Sequence, residues 1–190
     1  MLLGRRLALL TPLLLAHCGS DDPPRSYPPL RYDFLTPLRL NVATIDVAEL
    51  PSPGSLDSAS PAPLAASMRQ LAEDRLSAAG SSGRALITID EARITRGDSA
   101  LDGALAMHLD IMDADGKRRG SAAAGVSRRK TGVGRDLRGA VYDITKQMLD
   151  DLNVELEYQI RRSLKNELQV TSTAPAPAPV QQQDLSAPAL

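Results

Sequence analysis

Residues 101–111, LDGALAMHLDI, constrain the fold more than any other stretch of the 190-residue chain. Successive side chains of a β-strand point to opposite faces. Extended, this segment puts Leu101, Gly103, Leu105, Met107, Leu109 and Ile111 on one face, with Asp102, His108 and Asp110 on the other. Strict alternation over that length requires a sheet with one covered and one wet face. The rest of the chain must supply the cover.

Residues 38–50, LRLNVATIDVAEL, also alternate and read as a strand closed by Pro51 and Pro53. After a Ser/Pro/Ala loop, Ser60 as cap and Pro61 at the first helical position predict a helix. Leu64, Met68, Leu71, Ala72 and Leu76 share its apolar face, and Gly80 is the stop. Residues 84–95 form the next strand, whose inward set changes parity near Glu91 as a bulge would require. DADGK, at 113–117, is a turn, and residues 119–129 return as a strand of small residues, Ala122, Ala124 and Val126. A helix follows from Asp136, extending to Leu168. The expectation is an α+β single domain: a four-stranded, mostly antiparallel sheet in the order β-α-β-β-β-α, with two helices on one face. The helix between the first two strands calls for a parallel crossover. About 130 residues suffice for one core.

The chain begins differently. Arg5 and Arg6 precede an apolar run from Leu7 to Ala16, which is half the roughly 20 residues needed to span a bilayer. Residues 1–17 therefore read as a signal peptide. Leu15, Ala16, His17 and Cys18 resemble the bacterial lipobox, in which the cysteine becomes the lipid-modified first residue; His17 stands where that pattern has a small one. An ordinary secretory cut a few residues later is the alternative, and it would leave a soluble periplasmic protein. Gly19 and Ser20, with the first aspartate at Asp21, resemble the sorting pattern for the outer membrane. Residues 18–37, with five prolines, read as a tether. Three of the five aromatic side chains, Tyr27, Tyr32 and Phe34, fall within it, lying against the fold or serving as a docking peptide. Residues 169–190 have a composition that cannot bury a core.

The chemistry is sparse. Cys18 is the only cysteine, so the domain has no disulfide and no cysteine nucleophile. His108 beside Asp110 could be a base oriented by a carboxylate, but no activated serine or third ligand accompanies it. DADG resembles part of a calcium loop, yet Ile111 and Ala122 occupy the first and last ligand positions. TGVGRD, at 131–136, lacks the spacing and lysine of a phosphate loop. No catalytic residue, metal site or cofactor is expected. With the signal removed, acidic side chains outnumber basic ones, which is no nucleic-acid signature.

Two surfaces stand out. Lys117, Arg118 and Arg119 open the last strand, while Arg128, Arg129, Lys130 and Arg135 lie at or beyond its end, where they could meet anionic headgroups. The final helix shifts its stripe: from Met148 the apolar steps are all four residues, through Leu152, Leu156, Ile160, Leu164 and Leu168. Each step of four turns the stripe by roughly 40°. Leu156, Ile160, Leu164 and Leu168 are therefore expected to leave the sheet and form an exposed partner-binding ridge, unless a bend near Asn153 restores contact.

The lipobox, the proline-rich segment, RQLAEDRLSAAG, RALITIDEARIT, LDGALAMHLDIMDADG, the return strand and the long last helix together resemble the ABC-transport auxiliary lipoproteins. They are similar also to small outer-membrane lipoproteins that assist envelope assembly. The resemblance covers residues 18–168 in element order and texture. It implies a non-enzymatic domain, facing the periplasm on a lipid anchor and bound to a protein partner. A module binding a small ligand or lipid is the alternative, and it would show an apolar pocket between sheet and helices.

Overall fold

The structure is a computed structural model that describes residues 25–50, 56 and 60–169. The signal peptide, Cys18 and residues 170–190 lie outside them. The main sheet is mixed and four-stranded, in the order β2 (Thr44–Glu49), β4 (Arg84–Arg96), β5 (Ala100–Met112), β6 (Arg118–Thr131). β2 runs parallel to β4, and the other pairs are antiparallel, as the crossover reading requires. The pairing of β4 with β5 slips between Ile89 and Glu91, the bulge expected from the parity change. It lets Ile87 and Ile89 on one side of it, and Ala92 and Ile94 on the other, face the same core.

The first strand divides. Leu38–Leu40 is β1, which turns at residues 41–43 and pairs in parallel with β3 (Leu76–Ala78) in a small second sheet. Helix α1 (Leu64–Arg75) is accordingly shorter than the sequence suggests at both ends. Proline disfavours helical geometry in the residue before it. With Pro61 and Pro63 two apart, the helix opens only after Pro63, and Ser60 instead closes a local turn onto Ala62. Leu76 is buried as a strand residue, not a helical one. Gly80 is not the helix stop. Its backbone packs on Asn41 and Val42, where an added Cβ would lie 2.6 Å from main-chain atoms.

Helix α2 (Leu137–Ser163) is unbroken, capped by Asp136, whose carboxylate accepts from the Gly139 amide at 2.7 Å. Its 27 residues span about 40 Å, and the 14 residues of β6 about 45 Å. The sheet is long enough to carry the whole helix. Met148 sits over Gly103 and Leu164 over Gly120, near opposite ends of the β5–β6 pair. This corrects the expected ridge: Leu156, Ile160 and Leu164 are buried, and Leu168 is part-buried in a bridge to Leu40. A stripe of four-residue steps turns as it advances, but so does a sheet with normal right-handed twist. The small β1–β3 sheet covers what remains. Both helices and the inner faces of both sheets contribute to one core.

Residues 25–37 are also part of the folded body, so the tether reading is corrected for them. Leu30 and Tyr32 are buried, the Tyr27 ring packs 5.2 Å from that of Tyr142, and the Tyr142 hydroxyl donates to the Pro28 carbonyl at 2.7 Å. This strap crosses α2 and α1. The expectation that its rings lie against the fold holds for Tyr27 and Tyr32.

Candidate functional site

The wet face of the sheet carries the only histidine of the domain. The register sets His108 opposite Thr88, and its Nδ1 reaches both Asp90 oxygens at 2.8–2.9 Å. A carboxylate only accepts, so Nδ1 donates and the ring is fixed from β4. Asp110, the neighbour suggested by the sequence, is farther: its Oδ2 lies 3.9 Å from Nε2, and its Oδ1 lies 3.5 Å from Arg118. His108 is thus held on the wet face by Asp90, with Asp110 farther off on its other side. Among the described residues, no group of three or more potential ligands could hold a metal.

The basic run at the end of β6 does not form one patch. Consecutive strand residues face opposite ways. Arg128 bonds Asp151 at 2.6 Å and Lys130 lies 3.7 Å from Asp143, both carboxylates on α2. The hydrogen bond to Asp151 raises the Arg128 pKa further above its ordinary value. Arg129 faces outward, 67% exposed, with Asp102 at 3.4 Å. Arg135 has no ion-pair partner among the described residues. With Arg93, Thr95, Asp102 and Ser127, Arg129 lines an open cleft of about 420 Å³ on the wet face.

The strap produces the most distinctive arrangement. Asp74 of α1 accepts from the Tyr32 amide at 2.7 Å, from Arg31 at 3.0 Å and from Gln70 at 2.9 Å. Burial alone would raise its pKa, but these bonds outweigh burial and hold it below the usual carboxylate value. The Tyr32 hydroxyl donates to Asp150 of α2 at 2.8 Å, and burial, followed by that bond, pushes its pKa well above the usual phenol value. Arg75, buried at the end of α1, joins the same region: it donates to the Thr36 carbonyl, to Asn153 at 2.6 Å and to Glu157. Asn153 is thus a hydrogen-bond acceptor in an intact helix, not a bend.

Alongside this staple three large apolar side chains remain in solvent: Phe34 at 76%, Val154 at 68% and Tyr158 at 53% exposure. Val154 and Tyr158 are one turn apart on α2. Phe34 stacks on Tyr32 and sits between Tyr32, bonded to Asp150, and Thr36, joined through Arg75 to Asn153 and Glu157. The strap therefore sets Phe34 beside the same stretch of helix. The sequence reading missed this patch, although a signal existed: Val154 and Tyr158 each lie two positions from the apolar stripe, on the face that should be polar.

No protein-family model matches the chain, and no curated protein matches it in sequence. Among solved structures it is similar to a minor lipoprotein from Acinetobacter baumannii, at 16% identity over 66% of this chain and 94% of that one, with a TM-score of 0.36. It is similar also to lipoprotein GNA1162 from Neisseria meningitidis, at 15% identity over 57% of this chain and 99% of that one, with a TM-score of 0.29.

Proposed function

We propose that this chain is a lipid-anchored lipoprotein of the bacterial envelope, held by Cys18 at the outer membrane and facing the periplasm. Its domain acts as a non-enzymatic adaptor for a transport or assembly complex. The observation that carries the adaptor role is the exposure of Phe34 on the strap and of Val154 and Tyr158, one turn apart on α2. Large apolar side chains left in water together, on a rigid helix and a docked strap, are what a protein partner covers. A photo-crosslinking residue placed at Val154 or Tyr158 in intact cells tests this. A discrete adduct of defined mass is expected from both positions, and none from a control at Ala123 on the wet face of the sheet. Absence of adducts from the patch would remove the adaptor role.

A second reading has its own support. A cleft of about 420 Å³ between α1 and the β2 side of the sheet is lined by Ile45, Val47, Ala72, Leu76 and Ile87, with Arg69 and Glu73 also on its wall. Asp46 lines it too, and the surface it exposes is more polar than apolar, so it suits a small ligand that carries polar groups. Native mass spectrometry of protein taken from envelopes would show such a ligand as a defined added mass. Its presence, with no adduct from the patch, would favour this role over the adaptor.

A further inference from the structure

The strap fixes where the polypeptide leaves the body. Arg25 is paired with Asp143 and, at 3.4 Å, with Asp136, so the chain departs at the N-terminal end of α2. From Cys18 to Arg25 is seven residues, which span roughly 25 Å at most. β5, by contrast, is about 43 Å long for its 13 residues. An anchor at Cys18 can hold the Arg25 end against a bilayer but cannot reach the far end, where the 113–117 turn and the Gly120–Leu164 contact lie.

The same end carries free cations, as does the far end, where Arg84, Lys117 and Lys165 are exposed with no ion-pair partner among the described residues; only the near end lies within reach of the anchor. Arg96 pairs in register with Leu101, and Leu101 with Lys130, so the 97–99 turn, the end of β6 and the start of α2 form one pole. There Arg25, Arg128 and Lys130 are tied to carboxylates of α2 or its cap, and Arg93 to Glu91. Arg96 and Arg135 are exposed and have no ion-pair partner among the described residues, while Arg129 has only the 3.4 Å contact with Asp102. Asp98, at the tip of the turn, offsets one of these charges.

Given the anchoring reading above, on which this rests, we propose that the pole bearing Arg96, Arg129 and Arg135 is a docking surface for an anionic bilayer. The short connection to Cys18 holds it at the headgroups, and the three guanidiniums fix the domain's orientation with its long axis directed away from the membrane. Guanidiniums suit phosphate headgroups because they present paired N–H donors to oxyanions. The connection itself carries Asp21 and Asp22, which anionic headgroups do not attract, so fixing the domain's orientation falls to the three guanidiniums of the pole.

The test uses the mature, acylated full chain in nanodiscs of phosphatidylethanolamine and phosphatidylglycerol. A single fluorophore is placed at Asp98→Cys or, for comparison, at Ala114→Cys in the far turn, with a quencher on the lipid headgroups. Strong quenching is expected at position 98 and little at 114. The triple variant Arg96→Glu, Arg129→Glu, Arg135→Glu should lose the difference while remaining on the disc. In a separate arm without phosphatidylglycerol, the wild-type difference should shrink likewise. Equal quenching at both positions in an acylated protein, or no response to charge reversal, would overturn the docked pole and leave the anchor standing. A chain that bears no acyl group and does not associate with the discs would overturn the anchor and the docked pole together.

Discussion

Nε of Arg75, at the last position of α1, donates to Oδ1 of Asn153 in the middle of α2 at 2.6 Å. The same guanidinium holds Glu157 and the Thr36 carbonyl, so one side chain joins both helices and the strap. Arg75 is 3% exposed, so its charge has little water to fall back on.

Removal of Arg75 should therefore cost about 3 kcal/mol or more, the range seen when one partner of a buried charged network is deleted. Arg75→Lys should recover only part of this, because an ammonium cannot present the guanidinium fork to three acceptors. Chemical denaturation gives the stability. Hydrogen exchange should show faster exchange of the residue 30–36 amides in Arg75→Ala; unchanged protection there would separate the staple from strap docking.

The strap should respond to pH at both extremes. Asp74 has a folded pKa below its unfolded value of about 3.9. Its contribution is present above that pH and is lost as pH falls through the lower folded value. Tyr32 has a folded pKa above its unfolded value of about 10, so its contribution is complete below that pH and is lost as pH rises toward the folded value. Asp74→Asn should flatten the acid limb of a stability–pH curve and Tyr32→Phe the alkaline limb. Identical curves for wild type and both variants would contradict these assignments.

Gly80→Ala should destabilise the fold by roughly 1–3 kcal/mol, because the methyl meets main-chain atoms of Asn41 and Val42 that have no rotamer to yield. Gly120→Ala should cost less, since the only atom it meets is the end of the flexible Leu164 side chain. Thermal melts of the two variants side by side test the ordering.

Leu105→Ala and Leu109→Ala should each cost about 2–5 kcal/mol through lost burial and an unfilled cavity. The double change Ile160→Asp with Leu164→Asp should unfold the domain or nearly so, since both side chains are buried against the sheet and its neighbours. His108→Ala, on the wet face with its side chain 32% exposed, should cost little. A near-native melting temperature for the double aspartate variant would restore the exposed-ridge reading.

These outcomes show where the sequence was informative. The alternation of β5, the parity change at the β4 bulge and the DADG turn are local signals, each readable within a few residues. Asp113 closes that turn by accepting from the Asp115 and Lys117 amides, and Gly116 takes the positive φ it requires. The fate of Leu156, Ile160 and Leu164 was not local. It depended on sheet length and twist, against which the turning stripe had to be compared. The short β1–β3 pair and the buried Arg75 likewise exist only through partners tens of residues away. In the basic triplet Arg128, Arg129 and Lys130, period two separates Arg129 from its neighbours, which carboxylates of α2 hold. Phe34 could not be placed until the strap was.

The most direct test of the central claim is the intact mass of the mature protein recovered from cell envelopes. A chain beginning at Cys18 and carrying the added mass of its acyl groups is the expected result. An unmodified N-terminus beyond residue 18, in protein recovered from the soluble fraction, would contradict the lipid anchor.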